Sequence, residues 1–149
     1  MGRRYFTVAE ANALLPEMEE IFRRTDVLRE EMAEGIDRLK ILDALWGDRI
    51  EDPGIPDRGE LLETRAHVRQ VIARLERLVN ERIVSEGVRF PQGGFEHGLL
   101  DFPTLFQGRT VFLCWHRGEE EIRAWHEVDA GYAGRRPLTP DQALRMGRG

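Results

Sequence analysis

The stretch "LLDFPTLFQGRTVFLCWHRGEEEI", Leu99 to Ile122, decides the fold, because here the spacing of apolar residues changes its period. Leu99 to Pro103 and Thr110 to Trp115 are short β-prone runs, and Gln107-Gly108 between them supplies the turn chemistry of a hairpin. In the second run Phe112, Cys114 and His116 share one face, and Val111, Leu113 and Trp115 share the other. Both faces are largely apolar, so this strand belongs in the middle of a sheet. "HRGE" reads as a tight turn, which favours a third antiparallel strand for "EEIRAWHEV". Such a strand points Ile122, Ala124, His126 and Val128 one way and Trp125, Glu127 and Asp129 the other. The alternative is a helix on which Ile122, Trp125, His126 and Asp129 converge.

Upstream, the period is that of helices. "TVAE" at Thr7 to Glu10 has the form of a capping box and starts the first. Pro16 would lose a backbone hydrogen bond and clash one turn back, so the sequence predicts a short helix from Val8 to Leu14, a break, and a long helix from Pro16 to about Trp46. Met18, Ile21, Phe22, Thr25, Leu28, Met32, Ile36, Leu39, Leu42 and Leu45 form its apolar stripe. A loop containing Pro53, Gly54 and Pro56 leads to a second capping box, Asp57 with Glu60. A second stripe then runs from Leu61 to Ile83, with Gly87 as its cap. Two helices of nearly equal length, each roughly 40 to 45 Å at 1.5 Å per residue, imply an antiparallel hairpin. Near the end Thr139 and Pro140 have the form of a helix N-cap and first position.

These elements define an α+β protein: a long antiparallel helical hairpin with a small antiparallel β-sheet of about three strands in the C-terminal half. A chain of 149 residues is expected to be one domain, with a helical hairpin over 7–87, a β-rich part over 88–138 and a tail over 139–149. The net charge of -5 disfavours nucleic-acid and anionic-membrane partners, and no apolar run approaches the roughly 20 residues that span a bilayer. Arg3-Arg4 has the look of a twin-arginine signal, but Glu10 and Asn12 interrupt the apolar segment that should follow. Cys114 is the only cysteine, which fits a reducing compartment, the cytoplasm by default. Apolar surface that two helices cannot cover alone must be buried by the rest of the chain or by a second subunit, and a coiled-coil-like homodimer through the helices is the expected assembly.

At "YFTVAEANALLPEMEEI", "LLDFPTLFQGRTVFLCWHRGEEEI" and "AWHEVDAGYAGRRPL" the chain resembles a bacterial family of small proteins catalogued as domain of unknown function 2203, from Tyr5 to about Leu138. The resemblance implies no activity, substrate or cofactor. The family pattern often has Arg after Cys-Trp where this chain has His116, whereas Asp101, Trp125, His126, Asp129, Gly131, Gly134 and Arg135 match it.

The run "AWHEVDAGYAGRRP", Ala124 to Pro137, holds the candidate site. His126 with Asp129 and Asp101 is a candidate set for a divalent metal ion, the one cofactor suggested, with His116 or His97 as weaker additions. The same three are the catalytic candidates: His126 as general base and Asp129 or Asp101 orienting it. Two glycines, Arg135 and Arg136 as donors, and Tyr132 and Trp125 as stacking faces would suit a small anionic ligand. The competing reading is architectural: His126 bonds a backbone carbonyl or Asp129, and an arginine pairs with Asp129, Glu127 or a helix carboxylate. Cys114 reads as a buried apolar thiol about 7 Å along the strand from His116, and Glu119 to Glu121 as a solvated acidic turn. The leading expectation is a non-enzymatic oligomeric or binding protein. The runner-up is a metal-dependent hydrolase-like or small-anion-binding protein using His126, Asp129, Asp101 and Arg135.

Overall fold

A computed structural model describes residues 4–147; Arg3 of the Arg3-Arg4 pair lies outside the described residues. The chain divides into two compact units, Met1–Phe22 with Asn80–Gly149, and Arg23–Val79. Helix α1 runs from Val8 to Trp46 and helix α2 from Arg58 to Arg82. The capping box at the start of α1 forms as its sequence requires: Glu10 N–H donates to Thr7 Oγ1 at 3.1 Å, and Thr7 N–H to Glu10 Oε1 at 3.0 Å.

The break expected at Pro16 does not occur; α1 passes through it without interruption. Proline deletes one intrahelical hydrogen bond and crowds the carbonyl four residues back. Ala11, Leu15, Met18, Ile21 and Phe22, all buried, lie on both sides of it. Their packing needs one continuous helical face, and that burial offsets the local cost. The two helices are consequently unequal, 39 residues against 25, rather than matched.

The second capping box is also replaced. Glu60 accepts two hydrogen bonds from Arg38, at 2.6 and 2.8 Å, while the Asp57 carboxylate accepts from Trp46 Nε1 at 2.8 Å. A bidentate guanidinium from the neighbouring helix is a stronger partner than one backbone N–H, so tertiary contact overrides the local motif. Arg38 opposite Glu60 and Gly35 opposite Val68 establish the antiparallel course of the helices inside the Arg23–Val79 unit. A Cβ at Gly35 would lie 2.5 Å from Val68 Cγ2, so glycine permits the close approach there.

In the other unit the sheet has four antiparallel strands in sequence order: β1 (Leu99–Phe106), β2 (Arg109–His116), β3 (Ala124–Glu127) and β4 (Arg136–Pro137). The Gln107-Gly108 turn has φ of 51° and 75°, the doubly positive geometry whose twist suits a two-residue hairpin. β2 is an inner strand, as its two apolar faces demand, and "AWHE" is the third strand rather than a helix. The two-residue fourth strand is additional to the three expected.

One sheet face carries Phe102, Thr104, Leu113, Trp115 and Trp125, all buried, and receives α1. Phe6 meets Phe102 edge-on at 5.3 Å between ring centroids, and Phe22 meets Trp115 at 6.1 Å. The other face carries Asp101, Phe112, Cys114 and His126. Helix α3 (Gly94–His97) precedes β1, and α4 (Pro140–Arg145) ends the described chain. Thr139 caps α4 with Pro140 next, as the sequence predicts, and Gln142 completes a capping box.

Candidate functional site

The site is built by strand register. Asp101 of β1 stands opposite Cys114 of β2, and Phe112, two residues back on the same face, stands opposite His126 of β3. Three side chains from three neighbouring strands thus meet on one face, each with 0 % of its surface exposed. His126 Nε2 lies 2.9 Å from Asp101 Oδ1, and His126 Nδ1 lies 2.7 Å from the carbonyl oxygen of Glu127. A carbonyl can only accept, so Nδ1 carries a proton. Nε2 faces the Asp101 carboxylate, and these two acceptors stabilise the form of the ring in which both nitrogens donate.

Asp101 is held from its other side as well. Arg89 forms an antiparallel bridge with it, through Arg89 N–H to Asp101 O at 3.0 Å and Asp101 N–H to Arg89 O at 2.8 Å. The Arg89 guanidinium turns back over the sheet, donates to Asp101 Oδ2 from Nη2 at 3.2 Å, and lies 3.6 Å above the Phe112 ring centroid. Cation–π stacking on Phe112 and the bond to Oδ2 together make Arg89 a cover for the buried pair.

Burial opposes charge on the His126 ring, but the hydrogen bonds to Asp101 and the Glu127 carbonyl, with the attraction of Asp101, outweigh it and raise its pKa above 6.5. A raised folded-state pKa contributes stability that is fully present below the unfolded value and is lost as pH rises through the folded value. The urea midpoint of metal-free protein is therefore expected to fall from about pH 6.5 upward, and His126→Gln should flatten that slope. An unchanged slope in the variant would assign the pH dependence to another group. The Cys114 thiol is pushed up to about 11, chiefly by burial and then by the nearby Asp101 charge, so in the metal-free protein it is a neutral thiol at pH 7.

The polar corner following β3 is occupied differently from the sequence expectation. Arg135 Nη2 donates to both Glu119 oxygens, at 2.7 and 2.9 Å, so Glu119 is the anchor of the corner rather than part of a solvated turn. Glu119 also accepts from His116 N–H at 2.7 Å, and its carbonyl accepts from Trp115 Nε1 at 2.9 Å. Glu127 pairs with Arg109, at 2.7 and 2.8 Å. Asp129 is exposed in the turn after β3. The structure therefore brings Asp101 and His126 together, with Cys114 in the place where the sequence suggested Asp129.

His116 is exposed, 6.4 Å ring to ring from Tyr132, and His97 is exposed at the end of α3. Arg136 lies 5.1 Å over the Trp125 ring, and Trp125 itself is buried against Phe106. Arg89 and Glu119 are the participants that sequence reasoning missed. Arg89 carries no motif, and its role depends on pairing with a strand twelve residues away. For Glu119 the available signal was its offset of three from His116, the spacing at which a carboxylate can cap the backbone of its own turn.

Beside this corner a cleft of about 250 Å³ is lined by Glu119, Arg123, Ala124, Arg135, Arg136 and Pro137. Ala124 is the register partner of Cys114, so the cleft lies next to the buried cluster on the sheet.

Fold and site together define an α+β protein with a closed Asp–His–thiol cluster on one sheet face and an arginine-lined cleft beside it. The chain belongs to the family described as uncharacterized conserved protein (DUF2203), whose model matches residues 4–138. No curated protein and no solved structure matches it. Among the described residues no helix is long and apolar enough to cross a membrane.

Proposed function

We propose that the protein is a non-enzymatic binding protein whose cleft at Glu119, Arg123, Arg135 and Arg136 takes a small anion such as a phosphate or carboxylate. The observation that carries this reading is the composition of the cleft, three guanidinium groups against one carboxylate. Arg135 is already oriented by Glu119, with its Nη1 3.4 Å from the Tyr132 hydroxyl, and its buried Nε has no hydrogen-bond partner among the described residues. A donor held in place before the ligand arrives loses less entropy on binding. Binding is favoured over catalysis because His126, the base candidate, uses both ring nitrogens within the protein and shares no surface with solvent. A general base must reach the proton it abstracts. A hydrolase-like activity would need His126 to give up one of these bonds.

Thermal denaturation with inorganic phosphate, sulfate or citrate tests the proposal. At about 100 times Kd a ligand adds about 2.7 kcal/mol, which raises Tm by several degrees. Arg123→Ala and Arg136→Ala should abolish the rise. A rise that sodium chloride reproduces at equal ionic strength, or that both variants retain, overturns it.

A homodimer through the helices is the second reading, supported by the exposed Val27, Ile41, Leu45 and Leu62 on α1 and α2. Light scattering decides it: a strict monomer at high concentration removes this reading. The buried free thiol is compatible with the reducing cytoplasm as its location.

A further inference from the structure

The buried cluster offers more than an ion pair. A carboxylate oxygen of Asp101, Cys114 Sγ and a ring nitrogen of His126 all lie within 4.8 Å of one another. Donors of these types bind zinc at about 2.0 to 2.3 Å, which sets them about 3.3 to 3.8 Å apart in a tetrahedral site, so the 2.9 Å Nε2···Oδ1 contact must open by a few tenths of an ångström while the longer separations close. The orientation of the histidine is a second, independent observation. Its Nδ1–H is tied to the Glu127 carbonyl, which turns Nε2 toward Asp101. That is the outer hydrogen bond by which proteins set the tautomer and ring angle of a metal-binding histidine. Asp101 is similarly divided, with Oδ1 toward the cluster and Oδ2 on Arg89.

We propose that Asp101, Cys114 and His126 form a binding site for a thiophilic divalent metal ion of the zinc class, through Oδ1, Sγ and Nε2. Thiolate and imidazole donors together select this class over magnesium or calcium, which take oxygen ligands. Loading forms metal–sulfur, metal–nitrogen and metal–oxygen bonds, breaks the S–H bond of Cys114 and the Nε2–H bond of His126, and releases both protons to solvent. The formal charge of the cluster is zero before, from one carboxylate and one imidazolium, and zero after, from a dication with a carboxylate and a thiolate. The exchange therefore leaves the net charge of the three residues unchanged, with Arg89 on Asp101 and Arg135 beside Cys114 keeping their charges throughout. Three protein donors leave a fourth position for water or another small ligand. The metal donors are not residues of the anion cleft, but the two sites adjoin, since Arg135 of the cleft also lies against the Cys114 thiol.

The test uses the full, untagged chain stripped with a chelator. Co(II) is the optical probe and zinc analysis gives the stoichiometry. Because the donors are closed to solvent, metal is supplied both to native protein and during refolding from urea. One metal per chain is expected, with a thiolate-to-Co(II) charge-transfer band and the intense visible bands of tetrahedral cobalt. Cys114→Ser, close in volume to the native side chain, should eliminate the charge-transfer band. It should weaken zinc binding by more than the roughly 10- to 100-fold that loss of an outer partner costs. Glu63→Gln, exposed on α2, should leave the band intact. Absence of the band by both loading routes, or stoichiometric binding that Cys114→Ser leaves unchanged, overturns the proposal. If Cys114→Ser fails to fold by circular dichroism, the band and stoichiometry of the unsubstituted chain decide the question alone.

Discussion

Asp101→Ala is expected to lower the free energy of unfolding by about 3–5 kcal/mol, the range found when one partner of a buried charged pair is removed. Asp101 has no solvent contact, and it is the only carboxylate hydrogen-bonded to the His126 ring among the described residues. Without it the imidazole must either remain charged in a closed site or give up its Nε2 proton, and Arg89 loses the oxygen that holds it over Phe112. Asp101→Asn keeps the shape and lacks the charge, so its loss should be smaller. The double variant with His126→Gln should lose less than the sum of the two single losses, since the groups act as a pair. Urea unfolding measures all three. A loss under about 1 kcal/mol for Asp101→Ala would mean that water replaces the carboxylate at little cost, contrary to the closure described.

Trp115→Ala should cost a similar amount, about 3–5 kcal/mol, through the cavity left by a fully buried ring. The ring packs against Phe22 of α1, and its Nε1 donates to the carbonyl of Glu119, whose carboxylate holds Arg135. Core and corner are thus linked by one side chain. Trp115→Phe weights the second role, because it keeps most of the apolar volume, leaves only a small cavity and removes the N–H donor. Its expected cost is about 1–3 kcal/mol from the orphaned carbonyl. If the Glu119 turn positions Arg135, Trp115→Phe should also weaken the phosphate-dependent rise in Tm. Equal stability of Trp115→Phe and the unsubstituted chain would show that the indole bond contributes nothing to the turn.

How much of this was legible beforehand follows the range of the interactions. The capping box at Thr7, the hairpin turn at Gln107-Gly108, the inner position of β2 and the start of α4 at Thr139 are local instructions. Each is written within a few residues and satisfied within the same few. Pro16 and the Asp57–Glu60 motif are local instructions that lost. At Pro16 the burial of Leu15, Met18 and Ile21 outweighed one missing hydrogen bond, and at Glu60 the guanidinium of Arg38 was the stronger partner. In the site, residue type and the family resemblance single out Asp101 and His126, but their pairing needs strand register across 25 residues.

The sequence by itself determined most of the elements, because periods of 3.6 and 2, caps and turns act through neighbours along the chain; the continuity of α1 through Pro16 and the fourth strand needed distant contacts. Only the tertiary structure decided which polar groups meet. It set Cys114 rather than Asp129 beside His126, laid Arg89 over Asp101, and gave Arg135 to Glu119. Those choices depend on which strands are adjacent, in what register, and which side chains are denied water. A buried charge takes the partner that geometry supplies, whatever its distance in sequence.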